Sequence, residues 1–337
     1  MHRTILLMTA TVAGALSLAA TPALAQSGGG APRLNPVVEL LAAKQPVFGL
    51  YAPANRRARP GGPALPPDSV KSPAMLAREA LGATTSDYIF DGSMEGNFDA
   101  GFASFAPFAA AAFENGLVQT SPARRLKAPL FVKTPGIAQD VKLAQERIIK
   151  QLGLGASGIV FVDVESAEEL KAGIAAMRFA SNGGVRPNNA HGEAAKRWGM
   201  TDGEYHQVAD VWPLNPKGEL VNFAIVESKA GLAKIREIAQ VPGIGVLFPG
   251  AGTLRGVFSS TDANGRRVFD EKAWEDAIQS VLAACKEFNV PCGYPAGEAD
   301  IEMRMKQGFS VFVIGWGDSG FKAVELGRKA SGRHHAH

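Results

Sequence analysis

Eight short apolar segments, separated by stretches with helical periodicity, constrain the fold of this chain more than any other feature. Most are continuous apolar runs, which is typical of parallel strands covered on both faces. Between them, apolar residues recur at three- and four-residue spacing, and Ser166 followed by Glu169 predicts a capping box at one helix start. The predicted strands cover residues 47–53, 88–93, 130–135, 158–164, 222–228, 245–250, 291–297 and 311–317.

A (β/α)8 barrel contains eight strands that alternate with helices, and the sequence predicts the same number and order. We therefore predict an α/β fold, a (β/α)8 TIM barrel in a single domain over residues 47–330. An open, doubly wound sheet is the alternative. A flexible lead is expected over residues 26–46 and a disordered tail over 331–337.

The first 25 residues predict a secretory signal peptide. Arg3 precedes an apolar run from Ile5 to Ala20, and the small-x-small site Ala23-Leu24-Ala25 stands before Gln26. An uncleaved membrane anchor is the alternative, but the run is shorter than the roughly 20 residues needed to span a bilayer. We therefore expect a periplasmic or secreted protein with no membrane contact after signal cleavage.

Charge and cysteine usage narrow the possible functions. The net charge is only +3, and the 35 Lys and Arg residues are scattered rather than clustered, so nucleic acid is not an expected partner. Cys285 and Cys292, the two cysteines of the chain, can form a disulfide in an oxidising compartment. Because a predicted helix carries one and a predicted strand begins at the other, buried free thiols are the favoured interpretation.

Barrel active sites lie at the carboxyl ends of the strands, and several polar side chains occur there. Glu227 can be a metal ligand, a general base or a helix-capping group. Lys133 can hold a carboxylate, form a Schiff base or pair with Asp163 or Glu227. His191 and His206 are expected at the surface or at helix caps, with a relocated catalytic base as the alternative. The strand-end residues are Asp91, Met94, Glu95, Lys133, Asp163, Glu165, Glu227, the turn 250–255 and Asp318.

Several longer segments resemble one family. "GLGASGIVFVDVESAEELKAGIAAMRF", "NGGVRP" with "AAKRWG", and "FAIVESKAGL" with "IAQVPGIGVLFPG" are similar to segments of the HpcH/HpaI aldolase–citrate lyase group. The similarity covers roughly residues 80–325. It implies a TIM barrel, a metal-dependent aldolase activity on 2-oxo acids, a small-molecule carboxylate as substrate, and a homo-oligomer.

The resemblance also implies roles for particular residues. Glu227 matches the first metal-binding carboxylate, for a divalent metal of the Mg or Mn type, and Thr253 stands where the second, an Asp, is expected. Glu95 falls at the position of the catalytic His, and Lys133 at that of a substrate-binding Arg. The turn formed by Gly250, Ala251, Gly252 and Thr253 is the implied substrate-binding segment.

These departures leave two classes of function. The first is a carbon–carbon lyase of the aldehyde-lyase type, in which a metal on Glu227 stabilises an enolate, Lys133 holds the carboxylate and Glu95 moves the proton. The second is a non-catalytic periplasmic carboxylate-binding protein on the same scaffold. A lyase with a re-purposed site and a different substrate is a further alternative.

Overall fold

The structure is a computed structural model that describes residues 32–55 and 70–333. The predicted signal peptide, the first part of the lead, most of the proline- and glycine-rich segment that follows the first strand, and the last four residues of the tail lie outside these ranges.

The described residues form twelve β-strands. Eight are the predicted strands, and four belong to two short antiparallel hairpins. The strands are β1 (Val47–Tyr51), β2 (Tyr88–Asp91), β3 (Val118–Gln119), β4 (Arg125–Leu126), β5 (Leu130–Thr134), β6 (Gly158–Phe161), β7 (Val221–Val226), β8 (Val246–Pro249), β9 (Ser259–Thr261), β10 (Arg267–Phe269), β11 (Gly293–Pro295) and β12 (Val311–Ile314).

Thirteen α-helices lie within the same two ranges. Most have a polar residue as N-cap. Of the capping box predicted at Ser166, one half is present, since Ser166 Oγ accepts a hydrogen bond from the Glu169 N–H; the Glu169 carboxylate accepts from the Glu165 N–H instead of the Ser166 N–H. The helices are α1 (Pro36–Ala42), α2 (Pro73–Gly82), α3 (Phe98–Glu114), α4 (Val141–Gly153), α5 (Ala167–Met177), α6 (Ala194–Arg197), α7 (Asp202–Val208), α8 (Lys229–Ala233), α9 (Ile235–Ala239), α10 (Ala251–Val257), α11 (Glu271–Phe288), α12 (Ile301–Gln307) and α13 (Asp318–Ala330).

The eight long strands make one parallel sheet in the order β11-β12-β1-β2-β5-β6-β7-β8. Its two edges meet, because Leu247 of β8 forms a parallel bridge with Cys292 and its N–H donates to the Pro291 carbonyl at 3.0 Å. The sheet is therefore a nearly closed barrel surrounded by helices. The predicted (β/α)8 fold is confirmed, and the open-sheet alternative is wrong.

Aromatic rings fill the barrel. Tyr88 and Phe131 have ring centroids 4.7 Å apart, Phe131 and Phe223 lie 4.9 Å apart, and Phe223 stacks on Phe248 at 5.8 Å. Gly158 lies directly against the Phe131 ring, where a Cβ would overlap it. This alternation of large and small side chains gives the barrel a packed interior.

The prediction of a flexible lead over residues 26–46 is wrong in part, because residues 36–42 form a helix. Asn35 caps α1 by accepting a hydrogen bond from the Val37 N–H, and Pro36 supplies a preset first helical residue. Val37, Val38 and the two leucines of α1 are buried in the same cluster as the barrel interior. The lead is therefore helical from residue 36, because its apolar face is needed to cover one end of the barrel.

The predicted disordered tail is also wrong in part. Arg333 is buried and pairs with Asp87 at 2.6 Å, and Arg328 pairs with the same carboxylate at 3.2 Å. These two ion pairs attach the end of α13 and the residues after it to Asp87, which directly precedes β2. The remaining tail residues, 334–337, lie outside the described ranges.

The two cysteines form a disulfide rather than the favoured free thiols. Cys285 lies in the last turn of α11 and Cys292 directly before β11, with Cα atoms 5.6 Å apart. Asn289, in the left-handed conformation with φ of 53°, ends the helix and turns the chain back. This turn, which the helix-to-strand pattern did not predict, brings the two sulfur atoms together.

Across residues 32–55 and 70–333, no helix combines the length and the apolar character needed to cross a membrane.

Candidate active site

The carboxyl ends of five neighbouring strands bring the predicted site residues together. Lys133 is the fourth residue of β5, Glu227 directly follows β7, and Gly250 directly follows β8. Lys133, Glu227 and the segment Gly250–Thr253 line one cavity of about 180 Å³. Its floor is apolar, formed by Phe90, Val160, Phe223, Ile225, Phe248 and Val313.

A compact turn places Glu95 against Lys133. The Ser93 N–H donates to Asp91 Oδ1 at 2.9 Å, the Glu95 N–H donates to the Gly92 carbonyl, and Met94 is fully buried, so the turn after β2 is anchored on both sides. Lys133 Nζ then lies 2.8 Å from Glu95 Oε2, with side-chain exposures of 14% and 39%. The predicted pairing of Lys133 with Asp163 or Glu227 is therefore replaced by a pair with Glu95.

Glu227 is the most buried carboxylate of the cavity, with 5% of its surface exposed. Its Oε1 accepts a hydrogen bond from the Asp163 N–H at 3.2 Å, and the Thr253 hydroxyl is a polar neighbour that also favours its charged form. Burial raises the pKa of Glu227 above its ordinary value; the hydrogen bonds and the charge of Lys133 oppose this rise without cancelling it.

Asp163 has an unusual backbone conformation at this point. Its φ is 51°, in the left-handed region that non-glycine residues rarely adopt, and this conformation aims its N–H at Glu227. Burial raises the pKa of Asp163, the charges of Glu95 and Glu165 raise it further, and that of Lys133 lowers it. A strained residue that positions a buried carboxylate is typical of functional sites.

Tyr51 is a cavity residue that the sequence reasoning missed. It ends β1, packs its ring edge-on against Phe90 at 4.8 Å and lines the cavity. Burial raises the pKa of its hydroxyl, and the charge of Lys133 opposes that rise. Its place at the end of the segment "VFGLY" was the available signal, because barrel sites draw on strand ends.

The internal histidines lie elsewhere. His206 stacks on Phe179 with centroids 4.3 Å apart, and His191 packs against Phe179 and Tyr205. Both belong to the connection between α5 and β7, and neither lines the cavity. The relocated-base alternative is therefore wrong, and the histidines have packing roles.

The divalent metal implied by the resemblance needs several oxygen ligands, most of them anionic. Glu227 supplies one carboxylate, and Thr253 adds a neutral hydroxyl where a second carboxylate would be needed. In the described part of the chain, no group of three or more His, Cys, Asp or Glu residues is arranged to hold a metal ion. The Lys133 ammonium also brings its own positive charge into the cavity. These side chains do not fit a resident divalent cation.

Comparison with known proteins agrees with this architecture. A curated relative, the 2-dehydro-3,6-dideoxy-6-sulfogluconate aldolase of Pseudomonas putida, is 26% identical over 166 residues, 49% of this chain and 59% of the relative. The chain thus matches less than two thirds of the length of that relative.

Solved structures share the fold. An HpcH/HpaI aldolase/citrate lyase family protein from Burkholderia cenocepacia J2315 has a TM-score of 0.59 and 21% identity, covering 88% of this chain and 97% of its own. An HpcH/HpaI aldolase from Desulfitobacterium hafniense DCB-2 has a TM-score of 0.57 and 16% identity, covering 88% and 93%. The family model for HpcH/HpaI aldolase/citrate lyase matches residues 118–315, and the chain belongs to this family.

Proposed function

We propose that the protein is a carbon–carbon lyase of the aldolase type, which cleaves or forms a bond next to a small 2-oxo acid. The observation that carries the proposal is the Lys133 ammonium, held 2.8 Å from Glu95 at the wall of the cavity that it shares with Glu227. Family membership supports the reaction class. The cavity of about 180 Å³ supports a small substrate, since pockets for drug-sized ligands span roughly 300–1,000 Å³.

In the cleavage direction, the Lys133 ammonium binds the substrate carboxylate and faces the 2-oxo oxygen, where negative charge develops. Glu95 accepts the proton of the substrate hydroxyl beside the bond that breaks. The electron pair of that carbon–carbon bond moves into the enolate, and an aldehyde leaves. Glu95 then returns the proton to the enolate carbon, which yields the free 2-oxo acid.

The other cavity residues orient the substrate. The apolar floor limits water around the reacting carbon, which strengthens the interaction between the ammonium and the developing charge. The backbone N–H groups at the start of α10 and the small residues Gly250–Gly252 let an oxygen of the substrate approach closely. Glu227, held by the hydrogen bond from the Asp163 N–H, forms a fixed polar part of the cavity wall that Lys133 also lines.

The test is release of pyruvate from a panel of 4-hydroxy-2-oxo acids by the purified protein, followed with a coupled dehydrogenase. We expect Lys133→Gln to lower kcat/KM by about 100-fold or more, the usual effect of removing a group that stabilises an oxyanion. Lys272→Gln is the matched control, because Lys272 is a fully exposed lysine on α11. Turnover that is equal in wild type and Lys133→Gln would contradict the proposal.

A non-catalytic carboxylate-binding protein is the second candidate, and the hydroxyl of Thr253 at the expected acid position favours it. The same samples separate the two functions. Saturable binding of pyruvate or oxalate with no pyruvate release across the panel supports the binding protein, whereas release supports the lyase.

We also propose that the protein is exported to the periplasm or secreted. The signal-like first 25 residues support this location, and so does the Cys285–Cys292 disulfide, because such bonds persist mainly in oxidising compartments. Recovery of a processed chain from the periplasmic fraction or the medium is the expected result. The homo-oligomer implied by the resemblance is to be measured on the same material by light scattering.

A further inference from the structure

Lys133 is the positive charge around which the cavity is organised. Its Nζ is bonded to Glu95, and its charge acts on Tyr51, Asp163 and Glu227, in each of which it opposes a pKa raised by burial. These four side chains come from the ends of β1, β2, β6 and β7. The ammonium therefore lies among three converging carboxylates and one tyrosine hydroxyl.

Thr253 stands where the second charged ligand of a metal ion is expected, and its side chain carries no charge. Thr253 brings only a neutral hydroxyl to the cavity that Glu227 lines, and Glu227 Oε1 already accepts a hydrogen bond from the Asp163 N–H. Gly250 packs directly against the same carboxylate and leaves no space between them for a further ligand. The Lys133 ammonium also lines this cavity of about 180 Å³, so the site already contains one positive charge for an anionic ligand.

An ammonium has the right shape to replace a chelated metal for a 2-oxo acid. It is a compact point charge with three N–H donors, so one donor can bond Glu95 while others bond a carboxylate oxygen and the adjacent 2-oxo oxygen of the ligand. A planar guanidinium would instead direct two parallel donors at the carboxylate alone.

We propose that Lys133 supplies the positive charge for substrate and enolate binding in this site, and that the site binds its 2-oxo acid without a divalent cation. This rests on the proposed function for the identity of the ligand. It departs from the metal-dependent chemistry that the resemblance implies, because the residues at positions 133 and 253 differ together.

The experiment uses oxalate, a dianion with the shape of the pyruvate enolate, as the probe for calorimetry. We expect wild type to bind oxalate equally well in EDTA and in excess Mg²⁺. Lys133→Met should weaken this binding about 10- to 100-fold, as expected for loss of a charge-assisted hydrogen bond, and Lys272→Met should not. Circular dichroism and thermal melting of each variant check that the fold is retained.

A variant designed to gain metal binding tests whether the residues at positions 133 and 253 make this site independent of a divalent cation. Wild type should show no stoichiometric Mn²⁺ binding by electron paramagnetic resonance. The double variant Thr253→Asp/Lys133→Met restores a second carboxylate and removes the competing ammonium, so it should bind Mn²⁺ and should bind oxalate only when metal is present. Adding Glu227→Gln to that variant should abolish its Mn²⁺ binding.

The proposal is overturned if oxalate fails to bind wild type in EDTA, or if wild type binds Mn²⁺ through Glu227. Its failure is distinct from failure of the proposed lyase function. Pyruvate release that needs added Mg²⁺ supports the lyase and contradicts the metal-free site. Lys133-dependent oxalate binding in EDTA, with no turnover of any substrate, supports the metal-free site and contradicts the lyase.

Discussion

Gly250 lies so close to Glu227 that a Cβ atom at position 250 would stand 2.6 Å from Glu227 Oε2. Gly250 has a φ of −73°, which any residue can adopt, so glycine is required here for space. The close approach holds the carboxylate between the β7 and β8 strand ends, where it receives the hydrogen bond from the Asp163 N–H.

Gly250→Ala is therefore expected to displace the Glu227 side chain and to weaken oxalate binding by about 10-fold, because a misplaced site group costs about that much or more. Calorimetry at a fixed pH measures the effect. Gly256→Ala is the matched control in the same helix, since a Cβ there would meet only the end of the Arg267 side chain at 3.9 Å. Equal losses in the two variants would show that the effect comes from the helix and not from Glu227.

The stability of the protein should depend on the protonation of Glu227. Its pKa in the folded protein is raised above the ordinary value of 4.5 by burial, so the folded state binds this proton more tightly than the unfolded state. The contribution is fully present below about pH 4.5 and is lost as the pH rises through the raised pKa. Glu227→Gln removes the buried charge and keeps an oxygen that can accept the Asp163 N–H.

We therefore expect Glu227→Gln to have a higher Tm than wild type at neutral pH, with a smaller difference in acid. Thermal melts across this range, without added metal, measure the difference. A Tm gain that is independent of pH, or a lower Tm at neutral pH, would contradict the assignment of Glu227 as a destabilising buried charge.

The Arg178–Asp210 ion pair should contribute strongly to stability. Arg178 contacts both carboxylate oxygens, at 2.7 and 3.2 Å, and Asp210 is almost fully buried. Burial alone would raise the pKa of Asp210, but hydrogen bonds from Arg178 and Asn215 together lower it. Asp210→Ala leaves the Arg178 charge without its partner and should cost about 3 kcal/mol in the free energy of unfolding.

Urea denaturation measures that cost, and Asp276→Ala is the control, because its ion pair with Lys272 on α11 is exposed and should contribute little. The stability that Asp210 provides should be lost as the pH falls through its lowered pKa. If Asp210→Ala and Asp276→Ala destabilise equally, the bidentate pair has no special role.

The disulfide should stabilise the fold without affecting the cavity. Cys285 and Cys292 are separated by 7 positions, and closing so short a loop is worth about 2.5 kcal/mol in the chain-entropy model. Cys285→Ala/Cys292→Ala should lower the free energy of unfolding, measured by urea denaturation, by that amount and leave oxalate binding unchanged. Wild type treated with dithiothreitol should match the variant; a reductant that has no effect on wild type would contradict the bond.

Local sequence patterns predicted the strands well and the site partly. All eight strands were identified because a strand buried on both faces needs a continuous apolar run, as in "GIVFVDV" and "FAIV". Lys133, Glu227 and the turn Gly250–Thr253 were found because barrel sites occupy strand ends. The helix α1 was missed because its apolar face packs against strands distant in sequence, a partner that local periodicity does not reveal.

What the sequence alone determined is the alternation of elements, the family resemblance and the three departures at Glu95, Lys133 and Thr253. Only the tertiary structure decided how those departures combine. It paired Lys133 with Glu95 instead of Asp163, placed Thr253 and Glu227 in one cavity, and turned Asp163 into the left-handed region so that its N–H reaches Glu227. Electrostatic interactions depend on distance and burial, and side chains tens of residues apart acquire both only when the barrel closes.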